Sequence, residues 1–128
     1  MAPALIDSDI LIDVLRRTSA TAAWLSDYGR SNDLTTSVVN QFELLRGAGS
    51  SAARAQIAAL LDDFVIIDLD VSGARAAAAV HIELRTQGRS IDTGDTLIAG
   101  IARSRGMAVI TRNRRDFDRV QGLVVQVL

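Results

Sequence analysis

The sequence predicts one α/β domain, in which a mostly parallel sheet of five strands lies between two layers of helices (α/β/α). Five short apolar runs alternate with segments whose apolar residues recur every three or four positions. Strands that alternate with helices pair in parallel through right-handed crossovers, which cover both faces of the sheet. The 128 residues can bury a substantial core, and no linker or repeat divides them, so we expect a single domain over 1–128.

The predicted elements follow one another along the chain. The strands are expected at 3–7, 33–37, 64–70, 107–111 and 123–127. Helices are expected at 10–16, 38–47, 50–61 and 72–87, and a further one begins at about 93. Another helix contains Trp24 and Leu25 and ends at about residue 28. The segment NRRDF after the fourth strand is expected to form a turn.

Composition excludes several classes of protein. The chain has no cysteine, which excludes disulfides and thiolate metal sites, and no lysine, which excludes mechanisms that need one. Its net charge of −1 provides no overall attraction to nucleic acid. No apolar run is long enough to cross a membrane, and the first residues lack the basic region of a signal peptide. We therefore expect a cytoplasmic protein without membrane partners.

Acidic residues follow the predicted strands at the end where parallel sheets bind ligands. Five acids and one asparagine, from four separate segments, are expected to converge at this edge: Asp7, Glu43, Asp92, Asp95, Asn113 and Asp116. Clustered carboxylates repel one another unless a cation lies between them, and hard oxygen ligands suit Mg²⁺ or Mn²⁺. Such an ion activates water and stabilises charge on a phosphoryl group. The sequence therefore predicts a divalent-metal site at this edge of the sheet.

Each of these acids also has a purely structural interpretation. Asp92 is a suitable N-cap and Asp95 a first-turn acid, both of which favour a helix start. Asp9 is a possible cap for a helix beginning at Ile10. Asp13 is expected to face solvent beside Arg16 and Arg17, and the structural interpretation of Asp116 is a simple turn acid. No Ser/His/Asp or Cys/His set offers a competing catalytic centre.

Four blocks of sequence resemble the PIN-domain ribonucleases, and among them the VapC toxins of bacterial toxin–antitoxin pairs. They are LIDSDILID, FELLRG, DTLIAGIARSRG and VITRNRRDFDRVQGL, in the order and spacing of that family. The resemblance implies a PIN-like fold and Mg²⁺- or Mn²⁺-dependent hydrolysis of RNA phosphodiester bonds. It extends over nearly the whole chain.

The resemblance also implies roles for individual residues. Asp7, Glu43, Asp95 and Asp116 match the four family acids, although an acid nearer Asn113 occupies the fourth position in some PIN proteins. Asp7, Asp95 and Asp116 would bind the metal directly or through water, and Glu43 would orient or deprotonate the attacking water. The supporting oxygens would come from secondary candidates: Thr111, Asn113, Asp92 and Asp9. Aspartate at position 9 departs from the commoner Asn or Ser.

Substrate and partners follow from the same resemblance. Arginines near the acids are candidates for holding RNA phosphates, with solvated surface charge as the alternative: Arg46, Arg112, Arg114 and Arg115. The expected substrate is tRNA or rRNA, whose cleavage inhibits translation. The expected partners are a cognate antitoxin protein and a second copy of the chain.

Two other functions remain open from the sequence. Asp7-Ser8-Asp9 after a strand also resembles haloacid-dehalogenase phosphatases, in which Asp7 would be the nucleophile and Asp9 the acid/base. That chemistry normally uses a lysine, which this chain lacks. A PIN-like domain that only binds RNA or serves as a scaffold is the second alternative, although such relatives usually lose one or more acids.

Overall fold

The computed structural model describes residues 3–128, and its sheet is parallel throughout. The five strands are β1 (Ala4–Ile6), β2 (Thr35–Ser37), β3 (Val65–Ile67), β4 (Ala108–Thr111) and β5 (Val125–Val127). They lie in the order β3-β2-β1-β4-β5, and each neighbouring pair is parallel. The predicted fold class is confirmed.

The helices connect these strands. They are α1 (Ser8–Leu15), α2 (Ser19–Ser31), α3 (Val38–Arg46), α4 (Ser51–Leu61), α5 (Val71–Thr86), α6 (Thr93–Ser104) and α7 (Arg114–Phe117). The predicted turn at NRRDF is instead the short helix α7, because the side-chain oxygen of Asn113 caps it. The third strand ends at Ile67, earlier than predicted, and Asp70 caps α5 by accepting from the backbone N–H of Gly73.

Alternate residues of the central strand β1 enter two separate cores. Leu5 is completely buried and belongs to the core beneath α5 and α6, with Val80 and Ile98. Its neighbour Ile6 belongs to the opposite core, with Ile10 of α1 and residues of α2 and α4. Because successive side chains of a strand point to opposite faces of the sheet, each face has its own core and its own layer of helices.

Two helices approach each other closely on the first of these faces. A Cβ atom added to Gly100 of α6 would lie 2.4 Å from the backbone nitrogen of Ala77 in α5. Glycine at this position therefore allows α5 and α6 to pack backbone against backbone. Around it, Ile98, Ala99 and Ile101 are completely buried.

The chain order creates a crevice beside β1. The chain runs outward from β1 through β2 and β3, then crosses to β4 on the other side, so the order reverses between β1 and β4. Ligands of open parallel sheets bind at such a point, beyond the carboxyl ends of the strands. Among residues 3–128, no helix has the length and apolar character needed to cross a membrane.

Candidate active site

Asp7 is buried at the reversal point and held by three hydrogen bonds. It follows β1 as the N-cap of α1, and 5% of its surface is exposed. Its Oδ1 accepts from the backbone N–H of Ser8 (2.8 Å) and from Nδ2 of Asn40 (3.1 Å), and its Oδ2 accepts from the Thr111 hydroxyl (2.8 Å). Burial, followed by the charge of Asp9, raises the pKa of Asp7 to about 7. The hydrogen bonds offset this cost only in part.

Asp9 lies in the first turn of α1, beside Asp7. The alternative that Asp9 caps a helix beginning at Ile10 is wrong, because α1 begins at Ser8 and Asp7 takes the cap. Its Oδ2 accepts from the backbone N–H of Arg112 (3.0 Å) and from the Thr111 hydroxyl (3.2 Å). Its Oδ1 is buried and has no hydrogen-bond partner among residues 3–128. A buried carboxylate oxygen of this kind is available to a cation.

Glu43 reaches the same region from α3. Its Oε1 accepts a hydrogen bond of 2.7 Å from the Ser8 hydroxyl. Its Oε2 lies against the first turn of α6, where a Cβ atom added to Gly94 would be 2.7 Å away. The carboxylate is thus held between the start of α1 and the start of α6.

Asp95 and Asp116 are joined through one asparagine. The amide nitrogen of Asn113 donates to Oδ2 of Asp95 (3.2 Å) and to Oδ2 of Asp116 (3.1 Å). Burial, followed by the charges of Glu43 and Asp116, raises the pKa of Asp95 to about 6. Asn113 therefore presents its nitrogen to the acids, whereas its side-chain oxygen caps α7.

Asp92 stands immediately before α6 but does not cap it with its side chain. It occupies the N-cap position, yet within residues 3–128 its side chain makes no capping hydrogen bond. Its backbone oxygen accepts from the backbone N–H and the hydroxyl of Thr96. The exposed carboxylate adds to the charge that raises the pKa of Asp95.

Comparison with known proteins identifies the family. A sequence profile described as "PIN domain" matches residues 4–123. The "tRNA(fMet)-specific endonuclease VapC" of Shigella flexneri is 32% identical over 127 residues, which cover 96% of each chain. The chain belongs to the PIN-domain family, among the VapC ribonucleases. It is therefore a ribonuclease by family, and the haloacid-dehalogenase alternative receives no support.

Solved structures of VapBC proteins share the fold. A structure of VapBC2 from Rickettsia felis, bound to a promoter DNA fragment, superposes with a TM-score of 0.89 at 20% identity and covers 98% of both chains. DNA-bound VapBC from Salmonella typhimurium superposes with a TM-score of 0.86 at 25% identity, over 99% of this chain and 98% of that one. The first likeness supports the fold alone.

One of the four arginines near the VapC-like acids, Arg112, is engaged within the protein. Arg112 forms an ion pair with Asp13 and donates to the hydroxyl of Thr21 (2.6 Å). Asp13 was expected to face solvent beside Arg16 and Arg17, but it is half-buried and pairs with Arg112. Arg112 thereby links α1 and α2 to the segment after β4.

The other arginines are more exposed. Arg114 pairs with Asp118 at 2.7 Å, where 71% of its side chain remains accessible. Arg46 lies over the ring of Phe42, 5.5 Å from its centre, and Arg115 is exposed. A cavity of about 400 Å³ brings Arg46 together with Glu43, Asp92 and Asp95. One arginine and three acidic side chains therefore line the same cavity.

The donors suit a hard divalent cation with few protein ligands. No three His, Cys, Asp or Glu side chains within residues 3–128 converge closely enough to hold one ion together. Mg²⁺ usually keeps several waters and binds through one or two carboxylates, which this arrangement permits. The raised pKa values of Asp7 and Asp95 mean that their ionised forms are unfavourable here, and a cation beside them and beside the buried Oδ1 of Asp9 would offset that cost.

Two residues at the site escaped the sequence analysis. Ser8 and Asn40 are buried, and each hydrogen-bonds an acid of the site. Asn40 lies three residues before Glu43, and Ser8 stands between two aspartates. Both are uncharged residues within helices, so their residue types alone did not distinguish them from ordinary helical residues.

Proposed function

We propose that this ribonuclease depends on a divalent metal, cleaves tRNA or rRNA internally, and acts as the toxin of a toxin–antitoxin pair. The observation that supports the proposal is the group of acids at the carboxyl ends of β1 and β4, where burial and mutual repulsion raise the pKa values of Asp7 and Asp95. Such unfavourable charge is a common property of catalytic sites.

Asp7, Asp95 and Asp116 are the proposed ligands of Mg²⁺ or Mn²⁺, directly or through water. Thr111 and Asn113 hold these acids in place by hydrogen bonds, while Asp9 and Asp92 are secondary candidates. When bound, the ion supplies an activated water and neutralises charge at the scissile phosphate.

The chain's own groups complete the hydrolysis. Glu43 accepts a proton from the attacking water, whose oxygen bonds to phosphorus as the bond from phosphorus to the 3′ oxygen breaks, and the leaving 3′ oxygen takes a proton from solvent. The products are a 5′-phosphate and a 3′-hydroxyl. Arg46 and Arg115, exposed near the acids, hold flanking phosphates. We assign Arg112 and Arg114 a weaker part in RNA binding, because each already pairs with an aspartate.

The proposed partners come from the relatives. The Salmonella structure is named as a VapBC protein, and the Shigella relative is named for tRNA(fMet). We extend the antitoxin partner and an RNA substrate of the tRNA or rRNA class to this chain, together with a homodimer. We propose the bacterial cytoplasm as its location, because tRNA and rRNA are found there.

The test is cleavage of total cellular RNA by purified protein from which any bound inhibitor has been removed. Reactions contain Mg²⁺, Mn²⁺ or EDTA, and an Asp95→Asn variant serves as the matched control. Discrete fragments that are absent with EDTA and with the variant would support the proposal, and sequencing their ends would identify the RNA.

Calorimetry with Mn²⁺ distinguishes the reasons for a negative result. Intact RNA in every reaction together with absent Mn²⁺ binding would refute the assignment of the acids. Intact RNA together with Mn²⁺ binding would favour a non-catalytic RNA-binding protein, once purified tRNA and rRNA had also been tested.

A further inference from the structure

We infer that Ser8 and Asn40 are positioning residues, which hold Glu43 and Asp7 in a fixed mutual arrangement for RNA hydrolysis. This inference rests on the proposed roles of Glu43 and Asp7. It concerns a chain of hydrogen bonds from Ser37 through Asn40 to both acids.

The orientation of the Asn40 side-chain amide is fixed by the backbone N–H of Ser37, which can only donate a hydrogen bond. The backbone N–H of Ser37 donates to Oδ1 of Asn40 at 3.2 Å, and the Ser37 hydroxyl donates to the same oxygen at 2.6 Å. The nitrogen must then face the opposite way. There it donates to Oδ1 of Asp7 (3.1 Å) and to the hydroxyl oxygen of Ser8 (2.9 Å).

The hydroxyl of Ser8 is ordered in turn. Because its oxygen accepts from Asn40, its single hydrogen is available to Oε1 of Glu43, 2.7 Å away. One asparagine side chain therefore sets the position of Asp7 directly and that of Glu43 through Ser8. The two acids lie on different elements, α1 and α3, and this network joins them.

Helix capping does not account for the amide nitrogen. Ser37 and Asn40 form a capping box at the start of α3, which uses the Oδ1 atom of Asn40. An aspartate would accept the same bonds. The nitrogen is the part that only Asn supplies, and both of its hydrogen bonds go to the site. Asn40 is completely buried and Ser8 is 7% exposed, so solvent offers little replacement for a lost partner.

Ser8→Ala is the most direct test because it removes one hydroxyl and leaves Asp7 in place. We expect kcat for RNA cleavage to fall roughly tenfold to hundredfold, with KM within about twofold, since the loss concerns the orientation of Glu43 rather than RNA binding. Ser8→Thr restores the hydroxyl and should recover most of kcat. Ser104→Ala is the matched control, because within residues 3–128 that hydroxyl bonds only the backbone oxygen of Ile101.

A second measurement detects the contact between Ser8 and Glu43 without an assay of RNA cleavage. The chain has two glutamates, Glu43 and Glu83, so ¹³C labelling of glutamate carboxyl groups gives two assignable signals. At constant pH, Ser8→Ala should move the Glu43 signal and leave that of Glu83, which pairs with Arg103 at 2.9 Å. Asn40→Asp, which keeps the capping acceptor but removes the nitrogen, should also move the Glu43 signal.

The outcomes separate this inference from the proposed function. Normal cleavage by Ser8→Ala, or an unmoved Glu43 signal in a folded Ser8→Ala protein, would overturn the inference and leave the nuclease proposal intact. If the unmodified protein cleaves no RNA, the proposed function fails, and the carboxyl signals still decide whether Ser8 orders Glu43.

Discussion

The two halves of helix α6 have opposite effects on the stability of the protein. Its first turn carries Asp95, whose pKa is raised to about 6 by burial and by neighbouring acids, and Gly94, which makes room for Glu43. Its middle carries Gly100, against which the backbone of α5 packs, among completely buried apolar side chains. The first turn of α6 therefore lowers the stability of the fold, and the middle of α6 raises it.

The difference shows how a fold retains an unfavourable site. The acids at the first turn would relax if α6 could shift away from them. Its central packing against α5 prevents this, because a helix whose backbone contacts another helix has little freedom to move. Activity and stability are thus separated along one element, which is a common form of the stability–activity trade-off.

The largest expected effect is at the first turn. Asp95→Asn should reduce RNA cleavage roughly 1,000-fold, equivalent to about 4 kcal/mol, because it removes a proposed metal ligand. The same variant should increase the free energy of unfolding in EDTA at pH 8 by about 1 kcal/mol, since a repelled carboxylate is lost. Cleavage kinetics and urea denaturation measure the two effects. If Asp95→Asn were less stable than the unmodified protein under these conditions, the first turn of α6 would not lower stability, and the contrast between the two halves of α6 would be wrong.

The next effect lies in the middle of the helix. Gly100→Ala should reduce the free energy of unfolding by about 3 kcal/mol, because the added methyl group meets the backbone of Ala77. The matched control is Gly29→Ala in α2, where the nearest atom would be a flexible Leu34 side-chain carbon at 3.4 Å. The control should be neutral or slightly stabilising. Equal denaturation midpoints for the two variants would show that the helix contact is unimportant.

The pH dependence of stability provides the third test. The pKa values of Asp7 and Asp95 lie above the ordinary 3.8, so their contribution to stability is complete below pH 4 and is lost as the pH rises through about 6 to 7. Metal-free protein should therefore lose on the order of 2 kcal/mol between pH 5 and pH 8. Thermal denaturation should show this loss, with a smaller loss for Asp7→Asn. Added Mn²⁺ should restore stability at pH 8.

The smallest expected effect comes from the other glycine of α6. A methyl group at position 94 would meet Oε2 of Glu43, the end of a side chain that can turn aside. Gly94→Ala should therefore lower kcat about tenfold, or about 1.4 kcal/mol, with little change in the denaturation midpoint. Unfolding comparable to that of Gly100→Ala would show that both halves of α6 serve packing equally.

The sequence was sufficient for the architecture because each element depends on local patterns. The apolar run around Leu5 and the three-to-four-residue period around Ile98 predict their elements directly. The errors occurred where one side chain decides the boundary. Asn113 converts a predicted turn into α7, and Asp7 rather than Asp9 caps α1.

The site was less predictable because its contacts join distant segments. The four family acids could be named from the resemblance, but Ser8 and Asn40 carry no such signal. Arg112 was a candidate for RNA binding, and its ion pair with Asp13, which lies far away along the chain, was not predicted. Ion pairs and ordered amides of this kind depend on tertiary placement, which residue type does not reveal.

The bonds of Asp7 also set the order in which the site is completed during protein synthesis. Its Oδ2 accepts from Thr111, a residue 104 positions later, and its backbone N–H donates to Ile110 at 2.9 Å. A nascent chain that ends before β4 therefore has its first acid but neither of these partners. The proposed catalytic arrangement forms only after β4 has been synthesised, so a copy that ends before β4 lacks the arrangement proposed to cut the RNAs that are producing it.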